Sequence, residues 1–187
     1  MEKPIFLLKL KHMAKLKRVF KMIIGNENLK DLFPEFEDCI KENGLDLRIG
    51  SVEHTTNRNN KLIGCVDGEK HLPVTYEVKP DSNGVYKFYP HNYYTIVIDR
   101  PIKIPDGYCQ FYFIRSTFAR CGLMINDAVG DNGFEGTLRI GVYNANNLTI
   151  TAGLNEAIIQ AVTICNDGTA TTYNGDYKED KIYESIE

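Results

Sequence analysis

The sequence predicts a mainly β fold: an antiparallel sandwich or jelly-roll-like barrel, with short helices at its N-terminal end. Two observations carry this. From Asp46 onward the chain runs in short stretches rich in Val, Ile, Thr, Tyr and Phe, with apolar and polar residues alternating, the period of a half-buried strand. Between these stretches stand Asp67-Gly68, Asn83-Gly84, Pro105-Asp106-Gly107 and Asn144-Ala145-Asn146-Asn147, which is the chemistry of tight turns. Helical spacing is confined to two segments before Gly44.

The first is residues 5–24, where Leu16, Val19, Phe20 and Ile23 recur at helical spacing among Lys11, Lys15, Lys17, Arg18 and Lys21. A basic amphipathic helix of this kind suits a membrane surface or a polyanion, but docking of its apolar stripe on the domain or on a neighbouring subunit is the favoured reading. Residues 1–24 are therefore expected to form an extension, 25–178 the domain and 179–187 a charged tail. The second helical segment is Pro34–Asn43, with Pro at its start, Phe36 and Ile40 four apart, and Gly44 as its C-cap. A strand is expected at Asp46–Ile49. Further strands are expected at 61–66, 74–78, 86–89, 93–98, 108–114, 137–143, 148–151 and 158–164.

At 187 residues the chain is long enough for one domain with a sizeable core. Its net charge of −3 offers no electrostatic case for duplex nucleic acid. The five cysteines are scattered with no Cys-x-x-Cys, and no His-x-Glu is present, which removes the zinc-dependent nucleobase deaminase site. Reduced, mostly buried thiols in a cytoplasmic protein are expected instead. No apolar run approaches membrane-spanning length.

The chemistry concentrates between Arg115 and Tyr143. Arg115 and Arg120 flank the hydroxyls of Ser116 and Thr117 directly after the alternating run Tyr108–Ile114. Guanidiniums beside hydroxyls suit a polyanion, because Arg binds phosphate bidentately and stays charged. The chain then turns through Asp127–Gly133, where small residues admit close backbone approach, and puts the carboxylate of Asp131 one turn from a candidate phosphate site.

Arg115-Ser116-Thr117-Phe118-Ala119-Arg120-Cys121-Gly122-Leu123, followed by Gly130-Asp131-Asn132-Gly133-Phe134-Glu135-Gly136, resembles two ordered motifs of the dCTP deaminase and trimeric dUTPase superfamily. Three weaker matches fall in the family's order: Gly44–Gly50, Gly153–Gln160 and Tyr173–Lys178. The resemblance implies a dUTPase-like β-barrel and a homotrimer with sites at subunit interfaces, acting on a deoxynucleoside triphosphate with Mg2+. It implies that Asp131 is the general base for attack of water on the α-phosphate. Arg115, Ser116 and Arg120 would hold phosphates, Phe134 would pack on the deoxyribose, and Gln160, Tyr173, Tyr177 and Lys178 would complete the substrate site. Asp46 resembles the acid that holds magnesium-bound water. Against these stand structural readings: Arg115 paired with Asp46 or Glu135, Asp46 paired with Arg48 or Arg115, Asp131 as a turn cap, and Phe134 as a core ring.

The sequence departs from the family pattern at Gly141, where deaminating members carry the Glu that activates water against the cytosine ring. Glycine moves no proton, so the resemblance implies dUTP hydrolysis, with deamination requiring another acid such as Glu135. The loop Met124–Asp131 is about two residues short of the typical deaminase, and Asp176 stands where the closing motif has Lys. These departures favour the remaining alternative, a nucleotide-binding regulatory member without turnover, while the intact Asp131 and the Arg115–Arg120 motif oppose it.

Overall fold

In a computed structural model, residues 23–55, 64–126 and 128–180 are described. The chain opens with helix α1 (Asn26–Leu32) and a 3-10 turn (Pro34–Cys39). Fifteen strands follow among the described residues: β1 (Ile40–Lys41), β2 (Gly44–Thr55), β3 (Gly64–Val66), β4 (Glu69–His71), β5 (Thr75–Val78), β6 (Val85–Phe88), β7 (Tyr93–Ile98), β8 (Ile102–Lys103) and β9 (Tyr108–Ile114), then β10 (Leu123–Ile125), β11 (Val129–Gly130), β12 (Glu135–Gly136), β13 (Arg139–Asn144), β14 (Ile150–Gly153) and β15 (Ala157–Cys165). Between β9 and β10 lies a five-residue helix, α2 (Ser116–Arg120).

Nine strands form one antiparallel sheet whose main path runs β10-β13-β7-β2-β15-β9-β11, with β1 and β5 also paired to β2. The mainly β prediction holds. Twelve-residue β2 is the spine: it pairs with β15 through its first half and with β7 and β5 through its second, with register shifts where it changes partner. Leu45, Leu47, Ile49 and Val52 are buried along it, with Ile96 and Ile98 of β7, Ile140 and Val142 of β13, and Ile158, Ile159 and Ala161 of β15. Phe33 and Phe36 close this core from the N-terminal side.

Two expectations are corrected here. Pro34–Asn43 is not one helix: the 3-10 turn ends at Cys39, and Ile40 and Lys41 pair with Leu45 and Gly44. Gly44 is accordingly no C-cap. It begins β2, and a Cβ on it would stand 2.3 Å from the Ala161 carbonyl oxygen, so the glycine is needed for close strand approach. The expected basic helix lies outside the described residues except at its end, where Ile23 bridges to Ile164 and Ile24 is buried. No helix among the described residues is long and apolar enough to cross a membrane.

The Gly44 contact gives a stability test. Gly44→Ala should lower stability by about 1–3 kcal/mol, the usual cost of overpacking. Gly153→Ala, where a Cβ meets nothing within 4 Å, should be close to neutral. Urea unfolding of the two variants checks this; equal losses would contradict the packing described.

Candidate active site

The candidate residues fall into two groups at opposite ends of β9. The first is built on the turn after β11. Gly130 pairs with Gln110, and a Cβ there would lie 2.3 Å from the Tyr112 hydroxyl, so glycine lets the chain lie flat against a buried ring. The Asp131 carbonyl then accepts from the Phe134 amide at 3.0 Å, and Gly133 takes the left-handed conformation at φ +71°.

Asn132, rather than Asp131, braces this turn. Buried Asn132 accepts from the Gly107 amide at 2.6 Å through Oδ1, and its carbonyl accepts from the Tyr173 amide at 2.7 Å. The Asp131 side chain is exposed and makes no hydrogen bond or ion pair among the described residues. Asp131 lines a cavity of about 420 Å³ whose wall includes Cys109, Asn166, Thr172 and Tyr173. Burial pushes the pKa of the Cys109 thiol and of the Tyr112 hydroxyl up, and the nearby negative charge of Asp131 adds to both shifts. Both groups thus stay neutral at neutral pH.

Phe134 is partly buried against the core, and its ring meets that of Tyr173 with centroids 5.9 Å apart. Tyr173 Oη accepts from the Tyr177 amide at 3.4 Å, and Lys178 follows with its amide bonded to the Gly175 carbonyl at 3.1 Å. Asp131, Phe134, Tyr173, Tyr177 and Lys178 therefore form one connected group.

The second group surrounds Asp46, which is 5% exposed within β2. Arg115 Nε pairs with Asp46 Oδ2 at 3.0 Å, and its Nη1 donates to the Ala157 carbonyl at 2.9 Å and lies 3.8 Å from Glu156. The open question about Arg115 is resolved towards Asp46, because Glu135 pairs with Lys103 at 2.8 Å and Arg48 with Asp38. Gln160 stands opposite Asp46 across the strands, half-buried. Ser116 and Arg120 are exposed at the two ends of α2.

Within one chain these groups do not meet. None of Arg115, Ser116 and Arg120 lines the Asp131 cavity. From Cys109 at that cavity to Arg115 the chain is nearly all strand, and six residues at strand rise span roughly 20 Å. The expected closeness of Asp131 to the arginines fails inside a single subunit, because the extended strand carries them apart.

Gly141 has a neighbour the sequence does not announce. A Cβ on Gly141 would stand 1.8 Å from Tyr93 Oη and 2.6 Å from Cζ. The Tyr93 hydroxyl accepts from Asn126 Nδ2 at 3.1 Å, and the Asn126 amide donates to the Gly141 carbonyl at 2.8 Å. The phenol thus fills the space where a side chain at 141 would begin. Sequence reasoning also missed Asn132 and Cys109. An Asn beside Gly hints at the first; no local signal marks the second.

The curled antiparallel β fold is that of dCTP deaminase and dUTPase structures, and sequence comparison agrees. The family model described as dCTP deaminase-like matches residues 19–162, and the chain belongs to the dCTP deaminase/dUTPase family. It is 36% identical over 158 residues to a Methanothermobacter thermautotrophicus protein named "Probable deoxyuridine 5'-triphosphate nucleotidohydrolase", covering 84% of this chain and all of that one. It is 32% identical over 165 residues to a "dCTP deaminase" of Pyrobaculum arsenaticum, covering 84% of this chain and 92% of the relative. The 2'-deoxycytidine 5'-triphosphate deaminase of Agrobacterium tumefaciens shares the fold with a TM-score of 0.60 at 11% identity, over 78% of this chain and 48% of that one.

Two outcomes follow from the geometry. Arg115→Ala leaves the Asp46 carboxylate buried and unpaired, and should destabilise the chain by about 3 kcal/mol, the low end for a buried pair because Arg115 is partly exposed. Gly141→Ala and Tyr93→Ala should be non-additive, with the double variant more stable than the sum of the single losses predicts by about 1 kcal/mol. Chemical denaturation of the four proteins measures both; additivity at 93 and 141 would contradict the contact.

Proposed function

We propose that the protein is a dUTP diphosphatase, converting dUTP or a related deoxyuridine triphosphate to the monophosphate and pyrophosphate in pyrimidine deoxynucleotide metabolism. The observation that carries this reading is the pairing of exposed Asp131, whose carboxylate has no partner among the described residues and which lines the cavity, with a glycine roofed by Tyr93 where ring attack would need an acid. Asp131 takes the proton of the water that attacks the α-phosphate, since a carboxylate within reach of that water is what in-line phosphoanhydride cleavage requires. Phe134 and Tyr173 supply apolar surface for the sugar. Two relatives named "Probable deoxyuridine 5'-triphosphate nucleotidohydrolase", at 36% and 32% identity, support this choice of substrate.

Arg115, Ser116 and Arg120 hold the phosphate tail in this reading, from a second copy of the chain. The separation of the two groups along β9 supports a site completed between subunits. So does the exposed apolar face formed by Phe111 and Phe113 of β9 with Val129 of β11, 38%, 49% and 51% exposed, a patch that copies of the chain would cover. The resemblance makes that assembly a homotrimer. Residues 1–24 as an extension and 25–178 as the domain, in the cytoplasm, complete the reading.

Magnesium is the implied cofactor. The donor set fits an ion carried in on the triphosphate, which keeps several waters and needs only one or two carboxylates. Among the described residues no three His, Cys, Asp or Glu side chains cluster, and Asp46 Oδ1 is buried without a hydrogen-bond partner, leaving Asp46 able to accept from a metal-bound water. When bound, the ion offsets charge on the phosphates.

A screen of deoxynucleoside triphosphates with and without Mg2+, scoring pyrophosphate and ammonia separately, tests this. Pyrophosphate from dUTP without ammonia from dCTP is expected, and Asp131→Asn should lower kcat by about 10²–10⁴-fold. Ammonia from dCTP would favour the name carried by the deaminase relatives. Nucleotide binding with a low turnover indifferent to Asp131→Asn would favour a regulatory member. Phe111→Asp with Phe113→Asp should break the assembly in sedimentation and abolish turnover together.

A further inference from the structure

Lys70 lies at the middle of the β3–β4 pair, opposite Cys65, outside every motif singled out in the sequence. Its ammonium makes two contacts with consecutive residues of the closing segment, 106 positions away: an ion pair with Asp176 Oδ2 and a position over the Tyr177 ring, 4.8 Å from the centroid. At its other end the same segment is tied down by the Tyr173 amide on the Asn132 carbonyl and by Thr172 Oγ1 donating to Asp106 at 3.1 Å. Between these ties the segment folds on itself: the Tyr177 amide donates to Tyr173 Oη, and a Cβ on Gly175 would stand 2.3 Å from that same hydroxyl. Mechanical continuity therefore runs from Lys70 through Asp176 and Tyr177 to Tyr173, and from Tyr173 to Phe134 and the Asp131 cavity.

We propose that Lys70 is a positioning residue that latches the closing segment through Asp176, holding Tyr173 as the wall of the cavity. This deepens the diphosphatase reading and rests on it for the substrate. Asp176, which stands where the resemblance has a phosphate-binding Lys, acquires a role in this arrangement: the carboxylate anchors the segment to a hairpin instead of reaching for substrate. An exposed ion pair adds little to global stability, so its loss acts by easing local opening of the segment. The effect falls on substrate capture.

Kinetics and chymotrypsin cleavage of Lys70→Glu, Asp176→Lys and the double charge swap test the latch, with cleavage after Tyr173 and Tyr177 followed by mass spectrometry. Each single variant should raise the KM for dUTP about five- to tenfold with kcat within about twofold, and speed cleavage at both tyrosines by a similar factor. The unfolding midpoint should stay unchanged. The double variant should recover most of both losses. Unchanged KM and cleavage in Lys70→Glu, or a double variant no better than the singles, overturns the proposal. The cleavage comparison needs no turnover. It therefore decides the role of Lys70 even where the parent protein releases no pyrophosphate, a result that sinks the diphosphatase reading by itself.

Discussion

A carboxylate at 5% exposure near the start of the twelve-residue strand β2 is tolerable only with a partner, and Arg115 is that partner. The pair does more than neutralise a charge. In the sheet, β15 lies between β2 and β9; Arg115, just past the end of β9, reaches across it to Asp46 on β2 and bonds the Ala157 carbonyl of β15 on the way. One guanidinium thereby ties three strands together where the chain leaves the sheet for α2. It also decides the direction of that exit, leaving Ser116 and Arg120 on the outside of the domain.

The consequence for the site is a division of labour imposed by backbone geometry. A strand is extended, so residues at its two ends cannot share a ligand on the scale of a phosphate chain. The turn carrying Asp131 and the group around Arg115 stand at opposite ends of β9, and the extended strand keeps them apart within one subunit. The apolar residues exposed on the outer face of β9 and β11 make sense in the same terms.

Much of this was legible in the sequence, and the limits have physical causes. Tyr93–Ile98 and Tyr108–Ile114 are read at their true bounds because a six- or seven-residue alternation is long enough to define a period. Ile102–Lys103, Val129–Gly130 and Glu135–Gly136 are not read; two residues have no period, and their pairing is set by tertiary contact. Pro34–Asn43 imitates a helix through Pro34 and the Phe36–Ile40 spacing, yet its last residues pair with β2, where strand hydrogen bonds outweigh local preference. Helix α1 does carry helical spacing at Leu29, Leu32 and Phe33, a signal the sequence reading passes over. At the candidate site, the turn that carries Asp131 and Phe134 is legible from its Asp-Asn-Gly sequence. The bracing by Asn132 and the ring over Gly141 are not, since both depend on residues 25 or more positions away.

The position of that ring bears on any side chain placed at 141. An added carbon there meets the Tyr93 hydroxyl first, the far end of a half-buried side chain, so room is made by swinging one phenol away and giving up its bond from Asn126. Residues 93 and 141 thus behave as a coupled pair, and a change at either is felt at the other.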